Sequence, residues 1–229
     1  MSPCERTGPG ILYLVSMPIG CIEDISIRAL RLLKSVSVIA AEHPAVLRPF
    51  LSHYEIDTQV ERFGGRPAGK SATVLLDRLL AGGSVALVCD AGTPLIADAG
   101  FELAAYARRA GVTVRSVPGA CAALAALVLS SAASTRFAFD GFPPRTRSDR
   151  PAFFQGLAEE RRTIVLFETR AFLRDTLQRL RDNLGSDAKI LVARDLTKPS
   201  ETLFQASLDE AILQFQNPPR GEYVLVTSS

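Results

Sequence analysis

The sequence predicts an α/β protein made of two α/β domains, the first around a parallel sheet and the second around a mixed one. Three observations predict it. Apolar, β-rich runs alternate with helical patterns through the first half, the βαβ rhythm of a parallel sheet with helices on both faces. Three strands run into turns broken by Gly and Pro: Ile11 to Ser16 into Met17-Pro-Ile-Gly20, Val85 to Cys89 into Asp90-Ala-Gly-Thr-Pro94, and Val112 to Ser116 into Val117-Pro-Gly-Ala120. Turns of this kind at strand carboxyl ends share a ligand crevice. In the second half, the segment 193–204 holds no long helix, so its strands pair as a hairpin and make that sheet mixed.

A strand over 11–16 opens the pattern. The helix over 24–34 can be capped by Asp24 or Ser26, and Ile27, Ala29, Leu30 and Leu33 give it an apolar stripe, which is core spacing. A strand over 36–41 and a helix over 44–52 follow, then a short strand near 58–62, a helix over 69–82 and a strand over 84–89. The helix over 99–110 ends Arg108-Arg109-Ala110-Gly111, with cations in the last turn and Gly at the stop, as the helix dipole and a left-handed cap favour. A strand over 112–116 closes the first domain, 1–116. The Ala- and Leu-rich run from Ser116 to Thr135 opens with Pro118-Gly119. Its apolar part is shorter than the roughly 20 residues of a membrane span, so the expectation is a buried helix over 119–131. The second domain, 117–229, carries strands near 137–141, 163–167, 189–193, 201–205 and 222–227 with helices over 149–158, 170–184 and 207–215.

Of 229 residues 47% are hydrophobic and 22% charged, with a net charge of +2. This describes a folded domain protein with no global electrostatic signature for nucleic acid. Local charge is the exception: Arg145, Arg147 and Arg150 share one Pro-rich loop that can hold phosphates or simply be solvated. Cys4, Cys21, Cys89 and Cys121 form no CxxC pair, and only His43 and His53 could join them, so no protein-held metal is expected. Met1 to Gly10 is polar and runs into a strand, and the expectation is a cytosolic protein without a leader. A dehydrogenase reading is disfavoured because Met17-Pro-Ile-Gly20 lacks the GxGxxG phosphate turn.

Eight segments recur in one order: Met17 to Gly20 with Glu23-Asp-Ile25, Ala40-Ala-Glu42, Val88 to Ile96, Pro118-Gly119, Phe142-Pro-Pro-Arg145, Phe167-Glu168, Ala193-Arg-Asp-Leu-Thr-Lys198 and Gly221-Glu222. With these the chain resembles the tetrapyrrole methylase superfamily of S-adenosylmethionine-dependent methyltransferases, over about 11–227. More narrowly it resembles the ribosomal RNA branch, which methylates a cytidine ribose 2′-hydroxyl in small-subunit RNA. The resemblance implies a homodimer of two-domain chains with the cofactor in the cleft between domains. It implies that Pro18, Gly20, Asp90, Ala91, Gly92, Thr93 and Pro94 line the donor site from the first domain, and that Gly119, Ala120, Phe167 and Arg194 close it from the second. The residues themselves agree, since Gly20, Gly92 and Gly119 would let backbone N–H groups approach a ligand.

A sulfonium methyl is already activated, so alignment of donor and acceptor carries much of the catalysis, worth about 7–11 kcal/mol. A ribose hydroxyl must still lose its proton. Candidates are Glu42, Glu168, Asp195 and Lys198, each with a second reading. Glu42 can cap the next helix, Glu168 can pair with Arg170 or Arg194, and Lys198 can hold a phosphate. Arg145 and Arg147 are the candidate RNA contacts. The acceptor side departs from the ribosomal pattern: Glu42 runs into His43-Pro44 where Asp-Thr-Arg is usual, Phe63-Gly-Gly-Arg-Pro67 replaces a His-Asn-Glu-like segment, and Phe167-Glu-Thr169 replaces Tyr-Glu-Ser. The sequence runs to Ser229 just after the last strand, so the C-terminal helical piece of many ribosomal members is not expected. Alternative readings are a methylase for a small molecule or peptide and a non-catalytic S-adenosylmethionine-binding paralogue.

Overall fold

A computed structural model describes residues 9–64 and 68–228, and the chain divides into two compact units after Cys121. Cys4 and Gly65 to Pro67 lie outside the described residues. The first unit runs β1 (Ile11–Val15), a 3-10 turn (Ile22–Asp24), α1 (Ile27–Leu33), β2 (Val38–Ala41), α2 (Pro44–His53), β3 (Val60–Arg62), α3 (Ala68–Leu80), β4 (Val85–Val88), α4 (Phe101–Arg109) and β5 (Thr113–Val117). Its strands form one parallel sheet in the order β3-β2-β4-β1-β5.

Side chains alternate across this sheet. Val15, Ile39, Ala41, Ala86 and Val88 pack with Ala29, Leu33, Leu47, Phe50 and Leu51 on one face. Leu12, Val38, Ala40, Val85 and Leu87 pack with Ala72, Leu75, Leu79, Leu103, Ala104 and Ala107 on the other. That double burial is why β2 and β4 read as unbroken apolar runs. Ser26, not Asp24, caps α1, its Oγ accepting from Ala29 N–H at 3.1 Å. The expected stripe is corrected at one position: Ile27 is 76% exposed, and Ile25, just before the cap, takes the core place. α4 ends as anticipated, Gly111 adopting φ 75°.

The second unit runs α5 (Ala122–Leu129), β6 (Phe137–Gly141), α6 (Arg150–Ala158), β7 (Thr163–Thr169), α7 (Arg170–Leu184), β8 (Lys189–Arg194), β9 (Thr202–Ser207), α8 (Leu208–Gln214) and β10 (Glu222–Thr227). The sheet order is β6-β7-β10-β8-β9; β6 and β7 are parallel and the other pairs antiparallel. The sheet is therefore mixed, and β8 and β9 form the hairpin expected across 193–204. One face packs Ile164, Leu166, Ile190, Val192, Tyr223 and Leu225 under α6, α7 and α8. α5 lies against β10 and β7 and is shorter than expected. It buries Ala123, Ala126 and Leu127 but leaves Leu124 and Val128 exposed, so it is half buried rather than buried. Among the described residues no helix is long and apolar enough to cross a membrane.

Candidate active site

In the sheet order, β4, β1 and β5 are neighbours, so their carboxyl ends bring the three Gly/Pro turns side by side. Backbone bonds knit the first two: Met17 N–H donates to Gly92 O at 2.8 Å and Gly92 N–H to Met17 O at 3.0 Å. A hydroxyl relay adds the third. Ser16 Oγ donates to Thr93 Oγ1 at 3.1 Å, and Thr93 Oγ1 donates to Ala120 O at 3.0 Å. The second turn is conformationally demanding, with Gly92, Leu95, Ala97 and Gly100 all at positive φ. Leu95 and Ala97 in that region carry a local cost that the surrounding contacts must offset.

This geometry corrects two expectations. Gly119 and Ala120 belong to the first unit, not the second. The missing side chain of Gly119 serves packing: a Cβ there would stand 2.9 Å from Ser16 Cβ. At Gly92 the requirement is the left-handed backbone, with Ile19 Cγ2 3.3 Å from where a Cβ would be. Pro18, Asp90, Ala91, Thr93 and Pro94 are grouped on these turns, and Gly20 is exposed at the end of the first.

The next strand end belongs to β2, paired in parallel with β4. It delivers Glu42 and His43 beside Asp90, and His43 Nδ1 lies 2.7 Å from Asp90 Oδ2. His43 occupies the N-cap position of α2 without a side-chain cap bond, and Pro44 follows at the helix start. Glu42 therefore precedes the cap rather than forming it. Glu42, Asp90 and Asp98 make an acidic group. Asp98 sits on an exposed segment with its carboxyl turned toward Cys89, and local desolvation, with Glu42 and Asp90 nearby, pushes its pKa up to about 6. Burial, with Asp98 beside it, pushes the Cys89 thiol well above its usual range. Cys89 is thus a protonated donor to Ala91 O and Gly92 O at 3.1 and 3.2 Å, and not a nucleophile. His43 is the residue sequence reasoning passed over. Its signal was present as the substitution at Glu42-His43-Pro44, but only the strand order shows that it meets Asp90.

In the second unit the expected residues separate. Successive strand residues point to opposite faces, and the register sets Glu168, Tyr223 and Arg194 side by side across β7, β10 and β8. Glu168 therefore joins the helix-covered face while Phe167 joins the other. Phe167 is half-buried edge-on against Phe139 and Phe142, at 4.8 and 5.5 Å between ring centres. Glu168 is buried; it accepts from Thr176 Oγ1 and from Thr169 N–H, with Arg150 Nη2 at 4.0 Å. It pairs with neither Arg170 nor Arg194, and desolvation raises its pKa despite these partners. Its place among Arg150 and Thr176 makes it an internal structural carboxyl.

Arg150 corrects the basic-loop expectation. It is 2% exposed, donates to Asp175 Oδ2 at 2.7 Å, Thr176 Oγ1 at 2.7 Å and Pro144 O at 2.8 Å, and lies over the rings of Phe154 and Phe172. It anchors the loop rather than contacting phosphate. Arg145 and Arg147 remain exposed.

The turn after β8 is tightly held. Asp195 and Thr197 have φ of 52° and 63°. Asp195 accepts from Glu222 N–H at 3.1 Å and Ser200 Oγ at 2.9 Å. Lys198 Nζ lies 2.6 Å from Glu222 Oε2 and 3.9 Å from Asp195 Oδ1, so it is ion-paired in the turn. Arg194 donates from Nη2 to Ser200 O at 3.0 Å, while its buried Nε, 3.8 Å from Asp195 Oδ2, has no hydrogen-bond partner among the described residues. Among the described residues no group of His, Cys, Asp and Glu could hold a metal ion.

Residues 11–212 match the family model described as Tetrapyrrole (Corrin/Porphyrin) Methylases. The chain belongs to this family and is an S-adenosylmethionine-dependent methyltransferase. Among its relatives, ribosomal RNA small subunit methyltransferase I of Pasteurella multocida is 40% identical over 220 residues, covering 95% of this chain and 78% of the relative. The protein of the same name from Synechocystis is 41% identical over 218 residues, with the same coverage. The fold is shared with a cobalt precorrin-4 methyltransferase, at TM-score 0.73 and 22% identity over 95% of this chain and 94% of that one. It is also shared with a uroporphyrin-III C-methyltransferase from Thermus thermophilus complexed with S-adenosylhomocysteine, at TM-score 0.70 and 21% identity over 95% and 97% of the two chains.

Proposed function

We propose that this protein transfers the methyl group of S-adenosylmethionine to the ribose 2′-hydroxyl of a cytidine in small-subunit ribosomal RNA. The observation that carries the reading is the 40–41% identity to ribosomal RNA small subunit methyltransferase I over 95% of the chain. The family resemblance further supports a homodimer acting in the cytoplasm.

On this reading Pro18, Gly20, Asp90 to Pro94, Gly119 and Ala120 hold the donor from the interlocked turns and Phe167 contributes from the second unit, while Arg194, in register with Tyr223 and Glu168 on the other face of the sheet, braces the turn after β8 instead of touching the donor. The fit has a physical basis in the interlocked turns, where Gly92 at φ 76° and the exposed Gly20 leave backbone uncovered by side chains at the strand ends, as close approach of a ligand to backbone N–H groups requires. When bound, the cofactor supplies an activated methyl; the chain's residues bind and orient it. Glu42, half-buried at the end of β2, faces the acceptor with His43. Arg145 and Arg147 on the loop anchored by Arg150 attract the RNA backbone, and Lys198 holds the turn that carries Arg194.

The test is transfer of labelled methyl from S-adenosylmethionine to small ribosomal subunits purified from cells lacking this protein. Incorporation that is lost with Asp90→Ala supports the reading. No incorporation by a preparation that binds S-adenosylhomocysteine calorimetrically overturns it and moves the search to small-molecule or peptide acceptors.

A further inference from the structure

Any transfer to a hydroxyl needs a group to receive its proton, and the candidates raised by sequence are poorly placed for it. Glu168 is internal and has its oxygens bonded, and Lys198 is an ion-paired cation. His43 has the opposite character. Its imidazole is exposed at the carboxyl edge of the sheet, next to the turn that carries Asp90, and its Nδ1 is 2.7 Å from the Asp90 carboxylate.

We infer that His43, oriented by Asp90, is the general base that takes the 2′-hydroxyl proton. The inference rests on the RNA ribose reading given above. A carboxylate bonded to Nδ1 selects the tautomer with the proton on Nδ1 and leaves the Nε2 lone pair outward. Among the described residues Nε2 has no partner. In the step, the hydroxyl oxygen bonds to the methyl carbon while the S–CH3 bond breaks, its electron pair staying on sulfur as a neutral thioether. The hydroxyl proton passes to His43 Nε2. The imidazolium that forms is stabilised by the Asp90 carboxylate 2.7 Å from Nδ1. The positive charge lost at sulfur thus reappears on a ring paired with Asp90.

An exposed His–Asp pair is worth little to stability, and His43 makes no cap bond to α2, so replacing it leaves the fold intact. His43→Ala is expected to lower kcat for RNA methylation by roughly 100-fold or more, the usual range for a lost general base, with calorimetric affinity for S-adenosylhomocysteine unchanged. Added imidazole is expected to restore part of the rate in His43→Ala and to do nothing for wild type. Independently of activity, 15N resonances of the His43 ring should report a neutral form protonated on Nδ1, and Asp90→Asn should perturb that preference. Full activity of His43→Ala, absence of imidazole rescue, or a ring protonated on Nε2 overturns the inference. If the wild-type protein methylates no RNA, the ribose reading fails instead, and the ring tautomer still tests the His43–Asp90 relation.

Discussion

Ser16 and Thr93 place their hydroxyl oxygens 3.1 Å apart, and Thr93 passes the bond on to Ala120 O. One side chain therefore couples the ends of β1, β4 and β5. Thr93→Val keeps the shape and removes both bonds. It leaves Ser16 Oγ and Ala120 O without that partner, so a loss of about 1–3 kcal/mol is expected in denaturant unfolding, with weaker binding of S-adenosylhomocysteine. Unchanged cofactor affinity alongside lost stability would separate the relay from the donor site.

Gly119→Ala probes the same junction sterically. The added Cβ would meet Ser16 Cβ at 2.9 Å and Ser16 O at 3.4 Å, and overpacking of this kind costs about 1–3 kcal/mol. The destabilisation should be partly relieved in a Ser16→Gly background, measured as a double-mutant cycle in urea. Simple additivity would contradict the contact.

Much of this was legible in sequence, for a physical reason. Double burial makes β2 and β4 continuous apolar runs, and the Gly/Pro turns mark where those strands stop, so both strands and turns announce themselves locally. What sequence could not supply was strand order and register. Without β2 beside β4, His43 reads as a lost acid rather than a partner of Asp90. Without the β7–β10–β8 register, Phe167 and Glu168 look like one site although they point to opposite faces. Arg150 misled in the same way: three arginines close in sequence share a loop, but the third begins α6 and turns inward to Asp175 and Thr176.

Asp98 sets a pH dependence. Its folded pKa of about 6 lies above the ordinary 3.8, so the folded state binds the proton more tightly than the unfolded one. Below about pH 4 both states are protonated and no penalty exists. Between about 4 and 6 the unfolded chain ionises first, and stability is lost as pH rises through the folded pKa. Asp98→Asn should therefore raise the melting temperature relative to wild type at pH 7.5 and leave it unchanged at pH 4. An equal difference at both values would contradict the raised pKa.

Arg150→Ala removes the cation beside buried Glu168 and three hydrogen bonds, to Asp175 and Thr176 on α7 and to Pro144 O in the loop. Breaking a buried pair on one side costs about 3–5 kcal/mol, and proteolytic cleavage between Phe142 and Asp149 should accelerate. A variant as stable as wild type would show that Thr176 and Thr169 satisfy Glu168 alone.

Arg145→Glu with Arg147→Glu, by contrast, touches two exposed side chains. RNA methylation should fall to background with cofactor affinity and stability unchanged, and the wild-type rate should decline steeply with salt. Equal rates would remove the loop from RNA binding.

The most direct measurement digests the methyl-labelled small-subunit RNA to nucleosides and identifies the labelled one by mass spectrometry. The account predicts 2′-O-methylcytidine at a single position, absent with His43→Ala and restored in part by imidazole. Label on a base, or on no nucleoside, would contradict it.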